Sequence, residues 1–331
     1  MQHSLLCSQS VGIERIKEKE INMVNNQPKP KRLFESGKEL LNLSWERTID
    51  MFLSLNQAEE LNGKIPKSRK NSFWKHARRE LLTAYTLVLQ GAELLIKGKI
   101  AEVSPLLLID KLSERVSHKK TEYDFGEFCT IEESKLIEVC NCLTNFNIDS
   151  TFKDWFPEKI KKRNKIIHLE ILEYKTPDEI EKLALDILKD ILFINKVLFP
   201  DEYWLAIREN FLKNSIWSDL YDDPDVKTRV QLCKEYDILE KKFQPAEMKK
   251  FFDIDAKSRA YYCPNCIEDC GEHEINGMTF ARMLTKGANA TILRCPVCNQ
   301  TIDVDRYPCA NKGCKGSVHF YGQCLTCLDR N

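Results

Sequence analysis

Apolar residues recur at helical spacing through most of the chain. From Leu33 to about Asn62 the positions Leu40, Leu41, Ile49, Phe52, Leu53 and Leu61 follow a helical period. The segment from about Ser68 to Lys99 is stronger. Trp74, Leu81, Leu82, Tyr85, Leu87, Val88, Leu94, Leu95 and Ile96 make a wide stripe that predicts a long core helix. Gly91 interrupts this stripe at some cost, as expected where another helix comes close. Ser104-Pro105 ends the helix, and a short run, Leu106 to Ile109, follows. Thr130-Ile131-Glu132-Glu133 has the spacing of a capping box and predicts a helix to about Leu143. Phe156-Pro157 predicts a further helix start, since proline suits the first turn. Thr176-Pro177-Asp178-Glu179 opens a helix to about Leu198, and shorter helices are expected over 201–213 and 225–255. Ahead of all these, Gly12 to Asn25 reads as a charged helix with little to bury. It leads into the basic linker Pro28-Lys29-Pro30-Lys31-Arg32.

Beyond Ala260 the pattern changes. Gly, Cys, Pro and Asn rise, and short β-like runs such as Thr291-Ile292-Leu293 replace the helical period. Of 14 cysteines, nine crowd between Cys263 and Cys327, while Cys7, Cys129, Cys140, Cys142 and Cys233 are scattered and read as small apolar core residues. The nine include four short pairs: Cys263/Cys266, Cys295/Cys298, Cys309/Cys314 and Cys324/Cys327. Zinc takes four soft ligands in a tetrahedron, which two such knuckles supply. Sequential pairing predicts two small ribbons, each stabilised by a structural Zn2+, and leaves no knuckle unused. Interleaved pairing is the alternative. Cys270 and His273 also stand at ligand-like spacing after Cys266, although a surface loop is the ordinary reading of both. Tetra-thiolate sites leave no position for water, so this metal is expected to hold structure rather than catalyse.

Charge narrows the function classes. Fifty Lys+Arg balance 50 Asp+Glu, so attraction to a polyanion must come from local patches. The tail from Ala260 onward carries equal numbers of acidic and basic residues. Tyr307, Phe320 and Tyr321 there could stack on bases, but packing beside a zinc knuckle is the ordinary use. No apolar run reaches bilayer length, and Met1 to Ser10 lacks the layout of a secretory signal. A cytoplasmic setting with reduced thiols and no membrane partner is expected.

One segment has the residues for chemistry on phosphate. Arg163-Asn164-Lys165-Ile166-Ile167-His168 lies in a basic stretch with Lys159, Lys161 and Lys162. Histidine titrates near neutrality, and arginine is a permanent planar fork suited to phosphate oxygens. On a helix Asn164 and His168 share a face, while Arg163 lies about 140° around from His168. One helix alone therefore closes poorly around a phosphate, and two copies meeting at an interface close better. A second basic cluster, Lys64, Lys67, Arg69, Lys70, Lys75, Arg78 and Arg79, reads as a solvated face.

The Arg163-Asn164-x3-His168 pattern resembles the mark of the HEPN superfamily, Arg then four to six residues then His, often with Asn directly after Arg. Ala92 to Lys97 with Ser104 to Leu108 looks like the early core helix and turn of HEPN proteins of bacterial defence and toxin systems. Phe152 to His168 looks like their catalytic helix, and the likeness spans roughly Leu33 to Pro200. Taken with the cysteine spacing, which alone supplies the ribbons, it implies a mainly α protein: a HEPN-like helical bundle followed by small β-rich zinc-ribbon modules. The organisation expected is a polar segment (1–32), a HEPN-like domain (33–200), a helical extension (201–258) and two zinc ribbons (259–304 and 305–331). The resemblance further implies a metal-independent endoribonuclease, an antiviral or toxin protein acting as a homodimer on RNA. His168 would be general acid or base, Arg163 would stabilise the scissile phosphate, and Asn164 would orient the site. A trigger, protein or nucleic acid, would reach the chain through the ribbons. The chain departs from toxins paired with a nucleotidyltransferase antitoxin, which often carry Tyr two residues after the His; here that residue is Glu170. The alternative is a non-catalytic HEPN-like scaffold whose ribbons bind nucleic acid or protein.

Overall fold

The computed structural model describes residues 24–112, 122–169, 174–215, 223–271, 275, 277–285, 287 and 290–330. Side chains at 168 and 169 lie outside that description, as do His273, Cys7, Glu170 and nearly all of the expected helix Gly12 to Asn25. The described part is mainly helical, with small antiparallel sheets confined to the C-terminal region.

Two long helices, α1 (Pro30–Asn62) and α2 (Lys67–Ala101), form an antiparallel hairpin. Gly37 faces Gly91, the Ser44 hydroxyl donates to the Ala84 carbonyl, and Phe52 packs on Trp74. A Cβ on Gly91 would stand 2.9 Å from the Gly37 carbonyl oxygen, and one on Gly37 3.0 Å from that of Gly91. Paired glycines thus let the two backbones touch, the close approach that the interruption at Gly91 implied. Shorter helices close the bundle: α3 (Glu133–Leu143), α4 (Ser150–Leu169) and α5 (Pro177–Leu198). α5 packs on both long helices. It starts with the expected capping box, Thr176 accepting from the Glu179 amide and Glu179 accepting from that of Thr176.

Three helical boundaries differ from the sequence expectation, each for a local reason. The Thr130/Glu133 box does not form, because Lys97 donates to the Thr130 hydroxyl and Glu133 turns to Arg163. α4 starts six residues early: Asp149 accepts from the Phe152 amide, leaving Pro157 inside the helix on an exposed face. The expected helix over 225–255 is two, α7 (Pro224–Lys242) and α8 (Pro245–Phe252). Pro245 disfavours helical backbone at the residue before it, and Gln244 caps α8 instead.

α6 (Trp204–Lys213) and α7 share a buried polar cluster with α1. Arg208 donates to Glu235 at 3.0 and 3.2 Å, and Glu235 also accepts from the Trp45 indole at 2.8 Å. Glu235 is fully buried and Arg208 nearly so, which makes their pairing obligatory, since a lone buried charge is very costly.

The C-terminal region adds α9 (Pro264–Cys270) and two three-stranded sheets. β3 (Arg282–Met283), β4 (Ile292–Arg294) and β5 (Thr301–Asp303) form one; β6 (Asp305–Arg306), β7 (Val318–Phe320) and β8 (Gln323–Cys324) form the other. A parallel pair, β1 (Val24–Asn25) with β2 (Tyr123–Asp124), sits in the helical part. The first sheet docks firmly on the helices. Tyr236 packs edge-on against Phe280, the Tyr203 hydroxyl donates to the Pro296 carbonyl at 2.6 Å, and Arg282 pairs with Glu240. One hydrophobic core runs through both regions. Among the described residues no helix is long and apolar enough to cross a membrane.

Candidate functional site

α4 is pinned on three sides before it reaches the candidate catalytic residues. Phe152 and Phe156 are buried, and Phe152 packs on Phe193 of α5. Trp155 and Lys159 both donate to the Asp190 carboxylate, at 3.2 and 2.6 Å. Burial pushes the Asp190 carboxyl up, while the Lys159 ammonium pulls it back. The Tyr85 hydroxyl of α2 donates to the Lys159 carbonyl at 3.3 Å. The helix that carries Arg163 and Asn164 is therefore a rigid platform.

Arg163 is 8 % exposed. Its Nη2 donates to both Glu133 carboxylate oxygens at 2.8 Å and to Asn164 Oδ1 at 2.7 Å, and its Nε reaches the same Oδ1 at 3.1 Å. The guanidinium edge suited to a phosphate is thus filled by a carboxylate and an amide of the chain itself. Asn164 lines a groove of about 870 Å³ between α2, α3 and α4. Ile131, Phe156 and Ile160 give that groove an apolar wall, Lys161 and Lys165 bring positive charge, and Glu93, Glu132 and Glu133 bring negative charge. Arg163 itself does not line it. His168 lies four residues beyond Asn164 in the same helix, hence on the same face. The second basic cluster spreads over the start of α2, largely exposed, with Lys70 paired to Glu59 at 2.6 Å.

The tail cysteines gather into two groups, Cys263/Cys266/Cys295/Cys298 and Cys309/Cys314/Cys324/Cys327, each with its sulfurs within 4.8 Å of one another. This is the sequential pairing. Sulfur–sulfur separations are 3.7 Å for Cys263–Cys298, 3.8 Å for Cys266–Cys295, 3.7 Å for Cys309–Cys327 and 3.9 Å for Cys314–Cys324. A tetrahedron with metal–sulfur bonds of about 2.3 Å has edges of about 3.8 Å, and a disulfide would need about 2.05 Å. The Gly316 amide donates to the Cys314 sulfur at 3.2 Å, as suits a negative thiolate. Both groups are compatible with structural metal ions. In the first, a full set of four thiolates leaves no position for water.

Of the scattered cysteines read as core residues, Cys140 and Cys233 are buried, but Cys129 and Cys142 are exposed on the surface. Cys270 is buried on α9 rather than in a surface loop, and Cys233 lies on α7, the helix against which α9 packs. Cys233 reads as a core residue in sequence and becomes the hinge between bundle and tail only when α9 docks on α7. Glu133 likewise carries no sequence signal as the partner of Arg163, thirty residues away. In the second sheet Tyr307 stacks on His319 at 3.9 Å between ring centroids, while Tyr321 stays 89 % exposed.

No family model, curated protein or solved structure matches this chain.

Proposed function

We propose that this chain is a metal-independent endoribonuclease of the HEPN type, acting in antiviral defence or as a toxin. The observation that supports this reading best is the groove on α4. Asn164 lines it, Lys161 and Lys165 bring cations to it, and His168 follows one turn along the same face. In this reading His168 takes the proton from the ribose 2′-hydroxyl or delivers one to the leaving oxygen. The 2′-oxygen attacks the adjacent phosphorus, the 5′-oxygen leaves, and a 2′,3′-cyclic phosphate remains. Arg163 stabilises the charge that develops on phosphate after exchanging Glu133 for it. A second copy of the chain completes the site, so the active species is a homodimer. Two structural Zn2+ ions hold the tail and take no part in cleavage.

A second reading has its own observation. Because Glu133 and Asn164 already occupy the Arg163 guanidinium, a non-catalytic HEPN-like scaffold whose ribbons bind nucleic acid or a protein partner also accommodates this arrangement. Incubation of the purified dimer with single-stranded RNA, with EDTA added at the start, separates the two. Cleavage abolished by His168→Ala and by Arg163→Ala is the expected result. Cleavage that survives both substitutions, or no cleavage of any RNA, favours the scaffold.

A further inference from the structure

A second large groove lies away from α4, where the helical extension meets the two sheets. It encloses about 840 Å³. Its cations come from three separate stretches of chain: Lys249 on α8, Lys257 and Arg259 on the linker after it, and Arg306 on β6. Asp255 is the only carboxylate among the described lining residues. The charge balance of the whole chain hides this, because folding sorts positive charge to one concavity that the linear count averages away.

Of these cations Lys249 is paired with Asp253 at 2.5 Å and would exchange that carboxylate for an incoming anion. Lys257 is exposed, and among the described residues its ammonium has no ion-pair or hydrogen-bond partner. Arg259 lies over the Tyr261 ring at 5.6 Å, with long hydrogen bonds to the Lys315 carbonyl and the Thr326 hydroxyl. Arg306 is held by the Ala290 carbonyl and Ser317, and its buried Nε has no hydrogen-bond partner among the described residues. Beside them the groove has an apolar floor: Tyr261, Met283 and Leu284, the last 47 % exposed.

We propose that this groove binds single-stranded nucleic acid, with phosphates on Lys257, Arg259 and Lys249 and an unpaired base against Leu284 and the Arg259 guanidinium. Cations that track a backbone beside a flat or apolar platform are how single strands are held without sequence readout. Paired bases cannot reach the floor, which excludes a duplex. An acidic peptide would satisfy the lysines and leave the apolar floor empty. The proposal does not rest on the α4 site being catalytic.

The test is fluorescence anisotropy of the full-length chain with a labelled 20-mer of 2′-O-methyl RNA, which attack by a 2′-hydroxyl cannot cut. With about three phosphates engaged, the logarithm of affinity falls against the logarithm of salt with a slope of about −2. Lys257→Glu with Arg259→Glu is expected to weaken binding at least tenfold and flatten that slope. Lys257→Glu alone, an exposed change with no partner to lose, is expected to weaken it several-fold with the circular dichroism spectrum unchanged. Lys64→Glu with Lys67→Glu, in the other basic cluster, leaves affinity unaltered. Absence of binding overturns the proposal, as does equal loss in the Lys64/Lys67 variant. So does tighter binding of a labelled poly-glutamate peptide that depends on Lys257. A chain that binds here yet cuts no RNA leaves this groove standing and removes the nuclease; one that cuts RNA but does not bind here does the reverse.

Discussion

Single residues carry more charge into this core than the apolar stripes imply. Arg208 and Glu235 are set by the meeting of α6 and α7, and no local pattern announces the pair. Asp50 stands at the rim of that cluster. Burial first, then the Glu235 and Glu46 carboxylates, push its carboxyl from 3.8 to about 6. Below about pH 4 the proton is held in both folded and unfolded chains. As pH rises towards 6 the unfolded chain releases it first, so this residue's contribution to stability is lost across that window. Asp50→Asn removes the effect. Thermal melts should show the variant gaining on the parent between about pH 4 and 6 and holding that gain above it. A constant difference at every pH would contradict the assignment. Solvent reaches Asp50, so the gain is smaller than the shift alone implies.

At the scale of elements, long apolar periods were the most legible part of the sequence. The helical periods over α1 and α2 and the capping box of α5 lie where those helices form. Ends were less legible, because a cap depends on which side chain wins a partner. Glu133 could cap α3 or pair with Arg163, and the buried guanidinium offers more than an exposed amide. Gly91 shows the opposite case, in which a weak helix former in a strong helix pointed correctly to a tight crossing. Gly91→Ala drives a methyl against the Gly37 carbonyl, where backbone must give way. Urea denaturation should show a loss of about 1–3 kcal/mol. Unchanged stability would mean that the two helices sit further apart.

At the scale of the molecule, cysteine spacing alone exposed both four-cysteine groups that could hold a metal ion, since knuckle pairs survive as short sequence motifs. What spacing could not tell is how the tail joins the bundle. Tyr203 and Arg282 each make that joint through partners far away in sequence. The candidate site is intermediate. Asn164 and the basic rim were readable from helix periodicity, whereas the burial of Arg163 under Glu133 was not. Elemental analysis of the purified chain should find two zinc ions per chain, with one left in Cys295→Ser and one in Cys324→Ser. Two ions retained in either variant would contradict the ligand sets. The Cys324→Ser chain should also bind the 20-mer less well, because Arg259 is anchored on Lys315 and Thr326, which neighbour metal-group cysteines.

Cleavage by 2′-hydroxyl attack leaves its mark on the ends of the RNA fragments. Mass spectrometry of fragments made in EDTA should find a 2′,3′-cyclic phosphate on each upstream piece, absent when His168→Ala replaces the parent chain. Fragments ending in a free 3′-hydroxyl, or cyclic ends that persist without His168, would contradict the proposed chemistry.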